Sequence, residues 1–316
     1  ACRPNSIHVA HPGDWRVMNK LEALENDLSG SLAESIEIHE DEHFLTPLDT
    51  FREWADGRKQ WTMEYFYREQ RRRLGVLMQP NGKDPIEDRW NFDEDNRDSF
   101  KQPPEPPRPY TPRTDDITGE VLDLVSRRFK DNPGTLDGFR WCVTRDQARR
   151  ALDDFIDNRL PLFGKFEDAM WEGEPFLYHS LLSQAGNLKL LDPRDCVTKA
   201  VAAYESGDAP LNSVEGFVRQ WIGWREFIRG VYWAQGEDYP DRNGLDHEHD
   251  LPEFFWDADT DMNCMRDCLS QVRDRAYAHH IPRLMVMGNF AMLAGVHARK
   301  VADWYLAMFV DAVDWA

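Results

Sequence analysis

Hydrophobic positions recur at helical spacing through most of the chain. From Ser213 to Trp233 (SVEGFVRQWIGWREFIRGVYW), Phe217, Trp221, Trp224, Ile228 and Tyr232 fall at steps of four, three, four and four. That spacing predicts a helix with a single apolar stripe. Further helices are predicted over 117–130, 145–160, 164–172, 193–206, 261–279 and 283–313, separated by Gly, Pro and Asp signals. Residues 48–77 also read as helix, carrying Phe51, Trp54, Trp61 and Tyr65 before the basic stretch Arg68–Arg73. Strand-like runs are short: Ser6–Ala10 and Ser35–His39, separated by a helical pattern from Trp15 to Leu28. They make one βαβ-sized step. Residues 79–115 are rich in Pro, Asp and Asn and include Gln102-Pro103-Pro104-Glu105-Pro106-Pro107, a stiff extended connection. The pattern predicts the edge of an α/β domain (1–47), a helix and Pro-rich linker (48–115), and an all-helical domain (116–316).

Composition changes this picture at a few points. With 316 residues, 41% of them hydrophobic, the chain has room for two packed domains and is not disordered. A net charge of −19 excludes holding nucleic acid by bulk charge. Any such contact needs a local patch, and Arg68, Arg71, Arg72 and Arg73 offer one, although a solvated helix face explains them equally well. Five scattered cysteines, an odd number, read as reduced thiols in an intracellular protein. No apolar run reaches the ~18 residues of a membrane span, and no signal-peptide pattern opens the chain. The absence of an initial Met, and a last residue inside an amphipathic helical pattern, read as a piece of a longer polypeptide. Twelve tryptophans suit stacking and electron transfer.

Nucleotide-loop, zinc-protease and serine-hydrolase motifs are absent. His247-Glu248-His249 lies in Asp-rich loop sequence, where a solvated acidic loop accounts for it better than a metal. On the 213–233 helix, Arg219, Gln220, Arg225, Glu226 and Arg229 flank the stripe; it reads as a core helix or as a face stacking on a flat ligand. Tyr277-Ala278-His279-His280-Ile281-Pro282-Arg283 brings paired histidines, surface filler or proton donors, to a helix-disrupting proline. Arg283, entering an apolar helix, needs an acidic partner, and Asp311 on the next helix is the candidate. In Tyr178–Ser183, Ser180 and Ser183 are N-caps or, less often, holders of a phosphate.

Thr62–Glu69 (TMEYFYRE), Arg89–Asp93 (RWNFD), Gln220–Phe227, Met262–Met265 (MNCM), Tyr277–Gly295 and Trp304-Tyr305-Leu306 resemble the cryptochrome/photolyase superfamily, in particular its bacterial iron–sulfur branch of (6-4) photolyases and photolyase-related proteins. The resemblance covers nearly the whole chain. It implies a mainly α fold: a helical FAD-binding domain preceded by the remnant of a Rossmann-like α/β antenna domain. Carried over by position, His179, Ser180, Leu182 and Ser183 match residues at the flavin's phosphates and ribose. Arg283 and Asp311 match the ion pair against its ring, and Gln220, Trp224 and Arg225 match the pocket shared with the flipped base. His279 and His280 match the lesion-side histidines, with His280 the proton donor. Trp304, Tyr305 and Trp256 match the electron-transfer route, and Asp93 and Asp168 match acidic positions suited to Mg. Cys264 matches one of four thiolates of a [4Fe–4S] cluster whose other ligands fall beyond Ala316, so this chain is not expected to assemble it; the carboxyl side chain expected near flavin N5 falls there too. The implied activity is light-driven electron transfer from FAD to a pyrimidine photoproduct in UV-damaged DNA, by a monomer in the bacterial cytoplasm near the nucleoid. A lumazine- or folate-type antenna chromophore belongs to the same picture. The alternative is a blue-light photoreceptor that repairs nothing.

Overall fold

The structure, a computed structural model, describes residues 5–27 and 35–315. Leu28, Cys2 and Ala316 lie outside the described residues. Strand β1 (Ser6–Ala10) pairs in parallel with β2 (Ser35–His39), Ser6 opposite Ser35 and Ala10 opposite His39, and helix α1 (Trp15–Asp27) belongs to their crossover. The remainder of the described chain is almost wholly helical, so the mainly α class and the small parallel sheet agree with the sequence reading.

Two helices stand where 48–77 reads as one: α2 (Leu48–Ala55) and α3 (Met63–Leu74). Gly57, at φ +68, turns the chain out of helix, and the Trp61 indole N–H donates to the Ala55 carbonyl at 3.2 Å, satisfying an open helix end. The basic stretch on α3 is largely consumed internally. Arg71 is buried and donates to the carbonyls of Val76, Trp90 and Leu77; Arg68 pairs with Glu64 at 2.7 Å. Arg68, Arg71 and Arg72 all lie over the Trp90 ring. This run is therefore a packing device as much as a basic face.

Helices α4 (Asp116–Arg128), α5 (Arg145–Asn158), α6 (Leu160–Phe163), α7 (Ser183–Asn187), α8 (Pro193–Glu205) and α9 (Leu211–Val218) follow. Asp115 and Thr144 cap α4 and α5 by accepting the Thr118 and Gln147 amides, and Asp192 followed by Pro193 opens α8. The helix expected over 164–172 is instead a run of turns. At Gly164 the chain crosses α9 so closely that a Cβ would sit 2.7 Å from the Ser213 Cα, and the Ser213 hydroxyl takes the Gly164 amide at 2.9 Å.

The segment expected as one helix over 213–233 is α9, a π-helical stretch Arg219–Arg225, then α10 (Glu226–Gln235). Beyond α11 (Phe254–Asp257) and α12 (Asn263–Arg275), the expected 283–313 helix likewise breaks up. It is a π-helical stretch Ile281–Gly288, α13 (Asn289–Leu293), a turn at Gly295 (φ +69), and α14 (Ala298–Met308) ending in turns. The largest core, with Phe155, Phe163, Phe217 and Trp221, lies among α5, α6, α8 and α9. A second, around Phe255, Leu269, Met287 and Trp304, lies under α11–α14. Met18, Phe44, Tyr232 and Trp233 join the sheet unit to the helices.

Candidate functional site

Three irregular segments meet between the two large cores. The first runs from Leu177 to α7, with Leu177 and Leu181 in left-handed conformations (φ 42 and 58) that cost energy for side chains of this kind. Burial of Leu177 and Leu182 holds the segment in that shape. Gly186 lets α7 lie on the Trp221 ring, where a Cβ would come within 2.7 Å. The second segment leaves α12 through Ala276 (φ 51) and enters the π-helical stretch at Ile281; the third is the turn after α14.

Asp311 gathers all three. Its Oδ2 accepts the Ser183 hydroxyl at 2.6 Å, its Oδ1 accepts Arg283 Nη2 at 2.8 Å, and its carbonyl accepts Asn187 Nδ2 at 2.7 Å. Arg283 lies 4.1 Å over the Phe309 ring, and its carbonyl accepts the Tyr305 hydroxyl at 2.5 Å. The Arg283–Asp311 partnership expected from sequence is present, with Asp311 in a turn rather than on a helix.

His179 and His279 stack beside this group, with ring centroids 4.2 Å apart and planes at 18°. Burial holds His179 down to about 3, helped by His280. Burial also holds His279 down to about 2, with His179, His280 and Arg283 adding repulsion. Both rings are neutral at physiological pH. His280 is also lowered, by desolvation first, while Asp168 opposes and Arg283 reinforces the shift. Three buried polar atoms here have no partner: His179 Nε2, His279 Nδ1 and Arg283 Nε. Buried polar atoms are normally paired, so each of these three has capacity for a ligand's hydrogen bond; the same is true of atoms elsewhere, such as Arg225 Nε and Trp233 Nε1.

Ser180 and Leu182 line an enclosed cavity with Tyr110, Arg140, Arg159 and Gln184. Burial, and then repulsion from Arg275 and Arg159, lowers the Arg140 pKa, and among the described residues Arg140 has no carboxylate partner, whereas Arg159 is paired with Asp154. Such a spot complements an anion. Arg159 is buried, donating to Asp154 at 2.6 Å and to the His179 carbonyl at 3.3 Å.

The remaining expected residues are placed less compactly. Gln220 donates to Glu167 Oε1 at 3.2 Å. Trp224 is 43% exposed. Arg225 is not in the Asp311 group: its guanidinium donates to the His43 carbonyl at 3.0 Å and lies 3.9 Å over the Phe44 ring, tying the end of the π-helical stretch to the loop before α2. Asp93 is bound to the buried Arg219, which also faces Glu215, so its charge is already neutralised. Among the described residues, neither Asp93 nor Asp168 belongs to a group of three potential metal ligands, and neither does Cys264, exposed at the start of α12. Sequence reasoning missed Glu167, which burial raises to about 7 and which Arg219 pulls the other way. Its one sequence signal is adjacency to Asp168.

Trp304 is buried, its indole N–H donating to the Phe255 carbonyl at 3.1 Å. It lies 5.2 Å from Tyr305, which lies 5.1 Å from Phe309, the ring beneath Arg283. Trp256 and Trp304 line one surface groove. Ring contacts thus lead from Trp304 through Tyr305 and Phe309 to the Arg283–Asp311 pair, with Phe309 as the member that sequence reasoning missed.

The relatives that the chain matches group it with the cryptochrome/photolyase superfamily, and a helical body with a parallel-sheet unit at its start agrees with that grouping. Residues 1–141 match the family described as deoxyribodipyrimidine photo-lyase-related protein. The chain is 48% identical over 314 residues to the (6-4) photolyase of Agrobacterium fabrum, covering 99% of this chain and 60% of that protein. It is 30% identical over 96 residues to an uncharacterized protein of Acanthamoeba polyphaga mimivirus, covering 30% of this chain and 73% of that one. Its fold is similar to a bacterial class III photolyase from Agrobacterium tumefaciens (TM-score 0.62, 16% identity, 98% of this chain and 58% of that one). It is also similar to a Synechocystis cryptochrome (TM-score 0.60, 14% identity, 98% of this chain and 59% of that one). The chain spans about three fifths of the length of both photolyases and of the cryptochrome.

Proposed function

We propose that this protein takes part in light-dependent DNA repair of the (6-4) photolyase type, with FAD as the cofactor and UV-damaged DNA as the substrate. The observation that carries the proposal is the 48% identity to a (6-4) photolyase across essentially the whole chain. The residues present suit a flavin nucleotide. The arginines beside Ser180 complement its phosphates, and the orphaned atoms of His179, His279 and Arg283 are polar groups that a ligand would satisfy. When bound, FAD supplies light absorption and one-electron chemistry.

In this reading the chain's own residues do five things. Asp311 fixes the Arg283 guanidinium so that its free Nε faces the ligand. His179 and His279, both neutral, offer hydrogen bonds without adding charge. Trp224 presents an exposed aromatic face for stacking against an unpaired base; photolyases are among the enzymes that extrude their target base, and a damaged base is cheaper to unstack. Trp304, Tyr305 and Trp256 form the electron route, and His280, the least buried of the three histidines, moves the proton as general acid. The same reading assigns Cys264 one thiolate of a [4Fe–4S] cluster.

Illumination with an oligonucleotide containing a (6-4) photoproduct should restore the original thymines. His280→Ala should lower that rate by about a hundredfold or more while leaving the flavin absorption intact. Because protonated His280 is favoured as pH falls toward its lowered pKa, the repair rate of the unaltered protein should keep rising as pH drops below 6.5, the ordinary value for histidine. Trp304→Phe keeps an aromatic ring against Phe255, so it should slow light-driven reduction of bound flavin while preserving the fold, as read by far-UV circular dichroism. A coloured protein that leaves the lesion untouched would instead support the photoreceptor reading; a colourless one that rejects added FAD would overturn both.

A further inference from the structure

The outer face of the β1–β2 pair carries a cluster that the repair reading does not use. The parallel register sets His8 opposite Glu37. Side chains two apart on a strand share a face, so His39 joins them. All three are exposed, and their nearest nitrogen and oxygen atoms lie within 4.8 Å of one another. His8 Nδ1 stands 3.4 Å from Glu37 Oε2 and 2.8 Å from His39 Nε2. We infer that His8, Glu37 and His39 form a binding site for a borderline divalent transition-metal ion such as Zn2+, with solvent completing its coordination.

Coordination geometry supports this directly. With bonds of ~2.0–2.1 Å, two ligand atoms on one zinc ion stand ~3.3 Å apart at the tetrahedral angle and ~2.9 Å apart at a right angle. The His8–Glu37 and His8–His39 separations already match those two values to within about 0.1 Å. The outer nitrogen of His8 is also provided for: Ser6 Oγ lies 2.9 Å from Nε2 and can take its proton, leaving the Nδ1 lone pair free for the ion. Partners of this kind orient ligating histidines in metal sites generally. Two imidazoles and one carboxylate select zinc, cobalt, nickel or copper over magnesium and calcium, which take oxygen ligands. By contrast, the His247-Glu248-His249 segment shows no such convergence, and His249 Nδ1 is engaged with the Ala294 carbonyl at 2.6 Å.

The test uses the full chain without an affinity tag, stripped with chelator and dialysed against zinc chloride, with bound metal read by elemental mass spectrometry. The expected result is one more equivalent of zinc in the unaltered protein than in the His8→Ala/His39→Ala double variant. Glu37→Gln should weaken that equivalent by about tenfold or more, His247→Ala should leave it unchanged, and excess Mg2+ should not displace it. Equal binding by the unaltered protein and the double variant would overturn the inference and leave a histidine pair held only by its own hydrogen bond. Should the double variant misfold, diethylpyrocarbonate labelling of the unaltered protein decides the matter. Zinc should protect His8 and His39 but not His247; labelling of His8 and His39 that is indifferent to zinc would be equally fatal.

Discussion

Replacing Asp311 with Ala is expected to cost about 3 kcal/mol of stability and to abolish retention of FAD. One side chain receives both the Ser183 hydroxyl and the Arg283 guanidinium, so its removal strands a cation whose Nε already lacks a partner. Arg283 is about a third exposed, and water can partly compensate, which places the cost at the lower end for a broken buried pair. Asp311→Asn keeps one acceptor oxygen and loses the charge, so it should fall between the two. Urea denaturation reads the stability, and absorbance after gel filtration with FAD reads the retention. If Asp311→Ala matches the unaltered protein in both, the three segments are held together by something other than this carboxylate.

The second large effect is purely steric. Gly230 on α10 faces Phe51 on α2 so closely that a Cβ would sit 2.1 Å from the ring. Phe51 cannot give way, because Trp54, Trp61, Phe66 and Phe227 surround it. Gly230→Ala should therefore destabilise by up to about 3 kcal/mol, and Gly230→Leu should not fold. The urea midpoint would fall with its slope unchanged. Phe51→Ala alone should cost about 3–5 kcal/mol. Combining it with Gly230→Ala should cost less than the sum, since the truncated ring makes room for the methyl group. Additive losses would show that the crowding at this contact is relieved elsewhere.

Much of the helical organisation was legible because amphipathic spacing and capping residues are local signals: Thr144, Asp115 and Asp192-Pro193 open helices where the pattern begins. The parallel strand pair was legible for the same reason. What escaped was every departure that tertiary contact imposes. The apolar stripe Phe217, Trp221, Trp224, Ile228, Tyr232 assumes an uninterrupted α-helix, but the wider turn at Arg219–Arg225 shifts its phase. Phe217 and Trp221 are buried as the stripe requires, whereas Trp224 and Ile228 swing to the surface and Glu226 turns inward to accept the Thr46 amide at 2.7 Å. The turns at 164–169 follow from a close backbone approach to Ser213, which no local pattern encodes. At the site, the Arg283–Asp311 pair could be reasoned from the need of a cation entering an apolar segment. The stacking of His179 on His279 joins residues a hundred positions apart, and the commitment of Arg225 to the His43 carbonyl links the helix to a distant loop.

The two π-helical stretches constrain the length of the chain, not only its residue types. Each is equivalent to one extra residue spliced into an α-helix. Winding Arg219–Arg225 as regular α-helix with the same number of residues would join α9 and α10 without loss of hydrogen bonding along the axis. Everything downstream would then rotate by roughly 100°. Glu226 would leave the Thr46 amide, and Tyr232 would leave both the Trp15 amide and Asp314. A segment regularised in this way would be better as a helix and worse as a protein, so the wide turn and the tally of residues across it belong together.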